Sequence, residues 1–539
     1  MKNVIALLSL LVLAKLISAQ EYSIVLGRPT TSQVTASVMF EEPAEFYLEY
    51  GNAPGVYNQT SAFESCAAFA PVEMDLVGLV PNTKYYYIMH YRAQGVLAYT
   101  NSPEYSFQTQ RAPGSEFVFT LEADEHLYDK KGVKSIYQIC LNNQAADKPD
   151  FMMSLGDIFG DDHHPDSITS ADLDLLHRDY RPFLGSICHS IPFYVCLGNH
   201  EGENDYYMQQ TPPNNLAING TLWRKYYYPN PYPNDFYSGN NQVEPYGVEL
   251  PENYYAWTWG DALFVVMDVY RDQCDTSAKP QNWNWSLGEP QYNWLKNTLE
   301  GSTATHKMVF AHHVRGQGRG AAIMAPYFEW GGHQNNGTYT FDQYRPGWAK
   351  PIHQLFIDTG VDIFFQGHDH LFAHEVLDNV VYQEVPMPSD STYQIGMLAN
   401  ADAYLSDTLD GTGHLRITVN PGCLTVDFVR AYLPADTLSG EHHNGEVAFS
   451  YTLGECTTEV STIVEQTDLL VYPNPAKERL AINIQNPEKY HLQLTDALGR
   501  QVYSGKCAEL DISDYTDSVY VLTLSSSTQT LTRKIIIQH

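Results

Sequence analysis

The sequence predicts an α/β central domain of layered β-sheets flanked by helices, with an all-β sandwich domain at each end. Three observations predict it. Residues 21–110 alternate apolar and polar residues between turn signals, without a helical period. From 115 to 454, short apolar strands are followed by helical stretches. Residues 468–539 return to short strands alone. At 539 residues the chain is too long for one core, so several domains are required.

The first residues, MKNVIALLSLLVLAKLISAQ, place Lys2 before an apolar run from Val4 to Leu13, then Ser18 and Ala19. This is a secretory signal peptide pattern over residues 1–19, cleaved after Ala19. Lys15 departs from the usual pattern, and a membrane anchor is the competing reading, but the uninterrupted run is too short to span a bilayer. No later segment is apolar enough either, so no stable transmembrane anchor is expected. The product is expected to be secreted or held at the cell surface.

Residues 21–110 contain strand patterns such as "SQVTASVMF", "AEFYLEY" and "KYYYIMHY". Leu79-Val80-Pro81-Asn82-Thr83-Lys84-Tyr85 resembles the LxPxTxY signature of fibronectin type III domains, where the tyrosine turns a corner and bonds back to the backbone. The 39 tyrosines of the chain favour strands and exposed aromatic loops.

In the central stretch, "FVFTLEADEH", "DFMMSLGD", "PFYVCLGNHE", "ALFVVMDV", "KMVFAHH" and "VDIFFQGHDH" read as strands running into polar loops. "SIYQICLNN", "SADLDLLHRDYRPFL", "PQYNWLKNTLE" and "KPIHQLFIDTG" read as helices between them. Residues 413–452 are strand patterns that extend a sheet. The Tyr-, Asn- and Pro-rich stretch 205–255 lacks periodicity and is expected to form long surface loops near the site.

A polar linker at 455–467 leads to the last unit, 468–539. Tyr472-Pro473-Asn474-Pro475, Gly499-Arg500-Gln501-Val502-Tyr503 and the basic-aliphatic ending resemble the C-terminal sorting domain of the type IX secretion system. A glycine usual in that family before the penultimate-strand tyrosine is replaced by Ser518-Val519-Tyr520. The resemblance implies export across an outer membrane, with the type IX machinery as partner.

The net charge of −32 repels phosphate backbones and argues against nucleic acid as a partner, without excluding a small phosphorylated substrate. None of the eight cysteines has CxxC spacing, so a cysteine zinc site is not expected. Export permits disulfides that the sequence cannot assign. Cys188 and Cys196 flank a turn and offer one pairing, but Cys196 sits in an apolar run, which favours a buried free thiol.

Every central strand end presents a residue type that binds metal: Asp124-Glu125-His126, Gly156-Asp157, Gly198-Asn199-His200-Glu201, His312-His313 and Gly367-His368-Asp369-His370. In open α/β sheets the site lies beyond the carboxyl ends of the strands. Imidazole and carboxylate together favour zinc, iron or manganese over calcium. His368 and His370, two apart in extended backbone, are expected to point the same way. Of the adjacent His312 and His313, extended backbone lets only one face a metal.

The order DxH, GD, GNHE, H, GHxH resembles the calcineurin-like metallophosphoesterase family over residues 115–430. With the fibronectin-like domain in front, the layout is similar to purple acid phosphatases. The resemblance implies two metal ions about 3.5–4 Å apart, with phosphate monoesters hydrolysed by a hydroxide bridging them. It implies Asp124, His126, Asp157 and His370 on one metal and Asp157, Asn199, His312 and His368 on the other, with Asp157 as the bridge. His200 is then a non-ligand that protonates the leaving oxygen; orienting a carboxylate is its alternative role. His313, Arg315 and Arg319 are candidates for gripping substrate phosphate, against solvated positions. Asp161, His163 and His164 line the pocket or the surface. The purple enzymes place a metal-binding tyrosine three residues after the bridging aspartate; here Gly160 stands there. They also lack a histidine at the position of His126. No tyrosinate colour is therefore expected, and an obligatory Fe(III) is in doubt. Within enzymes the alternative is a phosphodiesterase acting on nucleotides or phospholipid headgroups. In another class it is an adhesin around an inactive core.

Overall fold

The structure, a computed structural model, describes residues 21–129, 131–160, 165, 167–208, 210–274, 281–314, 319–395, 403–404, 407–456, 469–484, 487–497, 500–506, 509–526 and 530–539. The signal peptide at 1–19 and most of the linker lie outside the described residues, as do Asp161, His163, His164 and Arg315. The chain divides into two compact units between Cys456 and Thr457.

The first unit begins with a β-sandwich. Strands Tyr22–Gly27, Gln33–Phe40 and Val72–Val77 form one sheet; Ala44–Gly51 and Lys84–Ala93 are the long strands of the other. Along Lys84–Ala93 buried and more exposed residues alternate, as a half-buried strand requires. The Tyr85 hydroxyl accepts the Val80 backbone N–H at 2.9 Å, which ties the corner before the strand. Helix Ser170–Cys188 of the next domain joins this sandwich through the buried Arg181. Its guanidinium donates to the Ser23 hydroxyl at 3.1 Å, the Ser37 hydroxyl at 3.0 Å and the Tyr227 carbonyl.

Two mixed sheets face each other in the centre. The six-stranded sheet runs in the order Phe193–Val195, Phe151–Ser154, Phe117–Glu122, Gly413–Asn420, Cys423–Arg430, Val447–Gly454. Its first three strands are parallel. The eight-stranded sheet contains the parallel run Ala262–Val266, His306–Phe310, Ile363–Gln366. Phe119, Phe151, Phe264, Phe310 and Phe365 fill the space between the sheets. Each such side chain contributes about 1.5–3 kcal/mol on burial. Helices Lys134–Ala146 and Ser170–Cys188 cover the outer face of one sheet; Gly288–Gly301 and Ile352–Thr359 cover the other. The sandwich holds the two sets of parallel strands rigidly against each other, so their carboxyl ends form one rim.

Expectations for the stretch 205–255 and for the tyrosines need correction. The stretch 205–255 is not only loop: Leu216–Tyr227 is a helix, capped by the Asn215 side chain accepting the Ile218 N–H at 2.9 Å. Its buried side includes Thr221 and Arg224, both bonded to the buried Glu203, so no apolar stripe marks it. Cys196 is a buried free thiol, as its apolar run predicts, and so is Cys188. Cys423 is bonded to Cys456 instead, and many of the tyrosines are buried rather than in exposed loops.

The second unit is a small sandwich. One sheet holds Leu469–Tyr472, Arg479–Ile484 and Leu510–Asp511. The other holds Gln501–Lys506, His491–Asp496, Ser518–Ser525 and Thr530–Ile537. Leu480, Leu494, Leu522 and Ile535 lie in its core.

Candidate metal centre

The loops after five parallel strands meet at one rim. Phe117–Glu122 leads to Asp124 and His126, Phe151–Ser154 to Asp157, and Phe193–Val195 to Asn199 and His200. From the facing sheet, His306–Phe310 leads to His312 and Ile363–Gln366 to His368 and His370. The loops approach through glycines. A Cβ on Gly156 would lie 2.2 Å from the Gly198 backbone N, and one on Gly367 would lie 2.6 Å from Asp124 Oδ2. Only glycine permits that approach.

Five of the seven proposed ligand residues have left-handed backbone: Asp124 (φ 64°), His126 (45°), Asp157 (59°), His368 (78°) and His370 (61°). Each such residue costs on the order of 1–3 kcal/mol and persists only where its surroundings fix it. The expectation that His368 and His370 sit in extended backbone and point the same way is therefore overturned. His368 Nδ1 lies 3.3 Å from His312 Nε2, while His370 Nε2 lies 3.1 Å from His126 Nε2.

The ligand-type atoms fall into linked groups. Asp124, His126 and His370 form one, Asp157, His312 and His368 another, and His126, Asp157 and His200 a third between them. Asp157 Oδ2 is 3.2 Å from His312 Nε2, 3.7 Å from His126 Nε2 and 3.7 Å from His200 Nε2. Asp124 Oδ1 is 3.4 Å from His370 Nε2, 3.8 Å from His312 Nε2 and 3.9 Å from His126 Nε2. That oxygen is buried without a hydrogen bond, and so is Asn199 Oδ1. Buried oxygens left without donors, ringed by imidazole nitrogens, fit a divalent cation better than a hydrogen-bond network.

The surroundings fix the rings. His312 Nδ1 donates to the Leu155 carbonyl at 2.8 Å, which turns Nε2 toward Asp157. His126 Nδ1 is 3.3 Å from Asp129 Oδ2. The Asp157 carboxylate accepts the His200 backbone N–H at 2.8 Å. Burial pushes the Asp124 carboxyl up to about 7, with Asp157 adding to the rise and His312 opposing it. Burial acts to lower His312, but the carboxylates of Asp157 and Asp124 raise it to about 10. Asp157 is held well below the usual range because His312, His200 and His126 outweigh its burial. Burial lowers His368 and His370, aided by His312 and His126 respectively, which keeps both imidazoles neutral. Neutral imidazole is the form that binds metal.

The sequence reasoning missed the supports. Glu201, quoted only as part of a motif, is buried, and its carboxylate accepts backbone N–H groups of Gly198 at 2.6 Å, Ile158 at 2.7 Å and Asp157 at 3.0 Å. Asp369, between the two histidines, accepts from Arg319 Nη1 at 2.6 Å, the Tyr404 hydroxyl at 2.6 Å and the Gly320 N–H at 2.8 Å. Arg319 thus pairs with a buried carboxylate while its own side chain stays 41% exposed. His313 is fully buried, so the solvated reading fails, and its ring lies 4.9 Å from that of His368. Gly160 explains the missing tyrosine. A Cβ there would lie 1.9 Å from the His200 carbonyl oxygen and 2.1 Å from Glu201 Cα, so the space is filled by backbone.

Residues 123–372 match the model of the calcineurin-like phosphoesterase family. The middle of the chain is a calcineurin-like phosphoesterase domain. Residues 470–538 match the secretion system C-terminal sorting domain. No curated protein matches the chain by sequence. Among solved structures, that of PhoD is 17% identical, covering 80% of this chain and 90% of its own, with a TM-score of 0.56. Purple acid phosphatase PPD1 from yellow lupin (Lupinus luteus) seeds is 15% identical, covering 81% of this chain and 75% of its own, with a TM-score of 0.53. At these identities the likeness is one of fold. The calcineurin-like phosphoesterase domain makes the chain a metal-dependent phosphoric ester hydrolase, and the sorting domain makes it one addressed to a secretion system. Among the described residues no helix is long and apolar enough to cross a membrane.

Proposed function

We propose that the chain is a secreted, dinuclear metal-dependent phosphomonoesterase. The observation that carries this reading is the position of Asp157 Oδ2 within reach of imidazoles from both donor groups. Asp124, His126, Asp157 and His370 would hold one ion, and Asp157, Asn199, His312 and His368 the other. Iron, zinc and manganese all suit this donor set. A bound pair of cations supplies charge to neutralise an anionic ester and lowers the pKa of water toward neutrality.

The chain's own residues do the rest. Asp157 and Asp124, fixed by left-handed backbone and by the Glu201 cradle, set the donor geometry before substrate arrives. The His312 bond to Leu155 keeps that ring from rotating away. His200 is partly exposed, as are His368 and His370, and sits beside Asp157. There its Nε2–H donates to the leaving oxygen as the P–O bond breaks. Aligned side chains of this kind let one face of the ester meet the donors while its leaving group meets His200.

The test is an activity panel of phosphate mono- and diesters on the full chain reconstituted with zinc, manganese or iron, beside metal analysis. Two ions per chain and faster monoester hydrolysis are expected. One ion per chain removes the dinuclear reading; faster diester hydrolysis removes the monoester one.

A further inference from the structure

At the opposite end of the central sandwich, below the amino ends of strands Ala262–Val266 and His306–Phe310, lies a groove of about 1070 Å³. Its volume matches the upper end for small-molecule sites, about 300–1000 Å³. One wall is a single face of helix Gly288–Gly301. Pro290, Trp294, Asn297, Thr298 and Gly301 recur at helical spacing and line it, while Tyr292, Leu295 and Leu299 of the same helix pack into the core. The facing wall holds Ser238, Asn241, Tyr254 and the turn at Thr258–Asp261, and Thr303 and Thr305 close one side.

Three features narrow the ligand. Among the described residues lining the groove the one carboxylate or ammonium is that of Asp261, which already accepts the Gly114 N–H at 2.6 Å, so nothing there selects a charged molecule. Asn297 and Thr303 are exposed neutral hydrogen-bonding groups whose side chains make no hydrogen bond among the described residues. The aromatic surface is fixed in place: Trp294 Nε1–H donates to the Ser238 hydroxyl at 3.2 Å, and its ring lies 4.8 Å from that of Tyr254. A flat aromatic face beside unfilled amide and hydroxyl groups is complementary to a molecule with apolar C–H faces and many hydroxyls. An added peptide strand fits less well, because the edge strand Ser238–Gly239 has only two residues to pair.

We propose that this groove binds a neutral saccharide chain, stacked on Trp294 and hydrogen-bonded by Asn297 and Thr303. It lies away from the candidate metal centre, and the proposal does not depend on the phosphomonoesterase reading.

The test is titration of the full chain, by calorimetry and tryptophan fluorescence, with hexasaccharides of glucose (α-1,4 and β-1,4), xylose, mannose and N-acetylglucosamine. At least one should bind saturably with Kd below about 1 mM. Trp294→Ala should weaken that binding at least about tenfold. Should Trp294→Ala fail to fold, Asn297→Ala on the exposed helix face reads the same site and should weaken binding several-fold. Absence of binding by every hexasaccharide overturns the proposal, and so does binding unchanged in the variants. So does saturable binding of an unstructured peptide control in place of the sugars.

Discussion

The two ends of the central sandwich share strands and differ in almost everything else. At the carboxyl ends, five non-glycine residues hold left-handed backbone and buried carboxylates stand among imidazoles. At the amino ends, the only left-handed position in the groove wall is taken by a glycine, Gly260 (φ 57°), and the walls are nearly uncharged. The core between them is the same packed layer of phenylalanines. Left-handed non-glycine backbone and buried charge also occur elsewhere in the chain, as at Phe328 (φ 50°) and in the Arg224–Glu203 pair. What sets the rim apart is that both coincide where parallel strands deliver aspartates and histidines to a common point, with the buried Asp124 Oδ1 and Asn199 Oδ1 left without a donor, and there they mark where a compensating ligand belongs.

The sharpest way to break the comparison is to remove the residue proposed to bridge the two ions. Asp157→Ala should lose both metals and essentially all hydrolysis, because in the proposed assignment this carboxylate serves both ions, its Oδ2 lying near imidazoles of each donor group. Metal content and phosphate release on the purified variant check this; normal turnover would defeat the assignment. Next comes His200→Ala. This variant should retain metal yet slow turnover by about 10²–10⁴, the usual range for a lost general acid. If metal is lost along with activity, His200 is a ligand or a support rather than an acid.

Gly160→Ala probes the strained rim without touching a donor. The added Cβ meets backbone of His200 and Glu201, which cannot swing aside as a side-chain tip would. Overpacking of this kind destabilises by about 1–3 kcal/mol. A lower denaturation midpoint and weaker metal retention are expected, since Glu201 cradles the Asp157 loop. An Ala variant as stable as the parent would show that the loop yields easily.

The contrast between the ends was partly legible in the sequence. Each rim motif is contiguous and follows an apolar run, so Asp124, Asp157, Asn199, His312, His368 and His370 could be read as strand ends facing one way. Their backbone conformation could not, because left-handed aspartate and histidine are imposed by tertiary contacts rather than by local preference. The partner of Arg319 was invisible for the same reason: Asp369 is 50 residues away and meets it only through the fold. Helix Leu216–Tyr227 escaped because Arg224 and Thr221 bury polar groups against Glu203, which breaks the apolar period. The Cys423–Cys456 bond follows from sheet register, with Cys423 opposite Gly454, and register depends on the strands that flank it. The groove left no motif at all. Its residues are ordinary types brought together from a helix face, a turn and a sheet edge.

The smallest expected effect is the most telling about the comparison. Saturating the groove with the tightest-binding hexasaccharide should leave hydrolysis of a small soluble phosphate ester unchanged in both kcat and KM. Coupling between two sites requires an element with two arrangements that each ligand favours differently. Between these two ends run continuous strands and a close-packed aromatic layer, which resist graded deformation. The groove wall contributed by helix Gly288–Gly301 packs on the outer face of the eight-stranded sheet and supplies no residue to the rim. A saccharide bound there has no differential grip on the donor geometry. A change in KM alone would point to overlap of the sugar with the substrate path. A change in kcat would show that the two ends communicate, and the separation drawn here between a strained, charged rim and a relaxed, neutral groove would have to be abandoned.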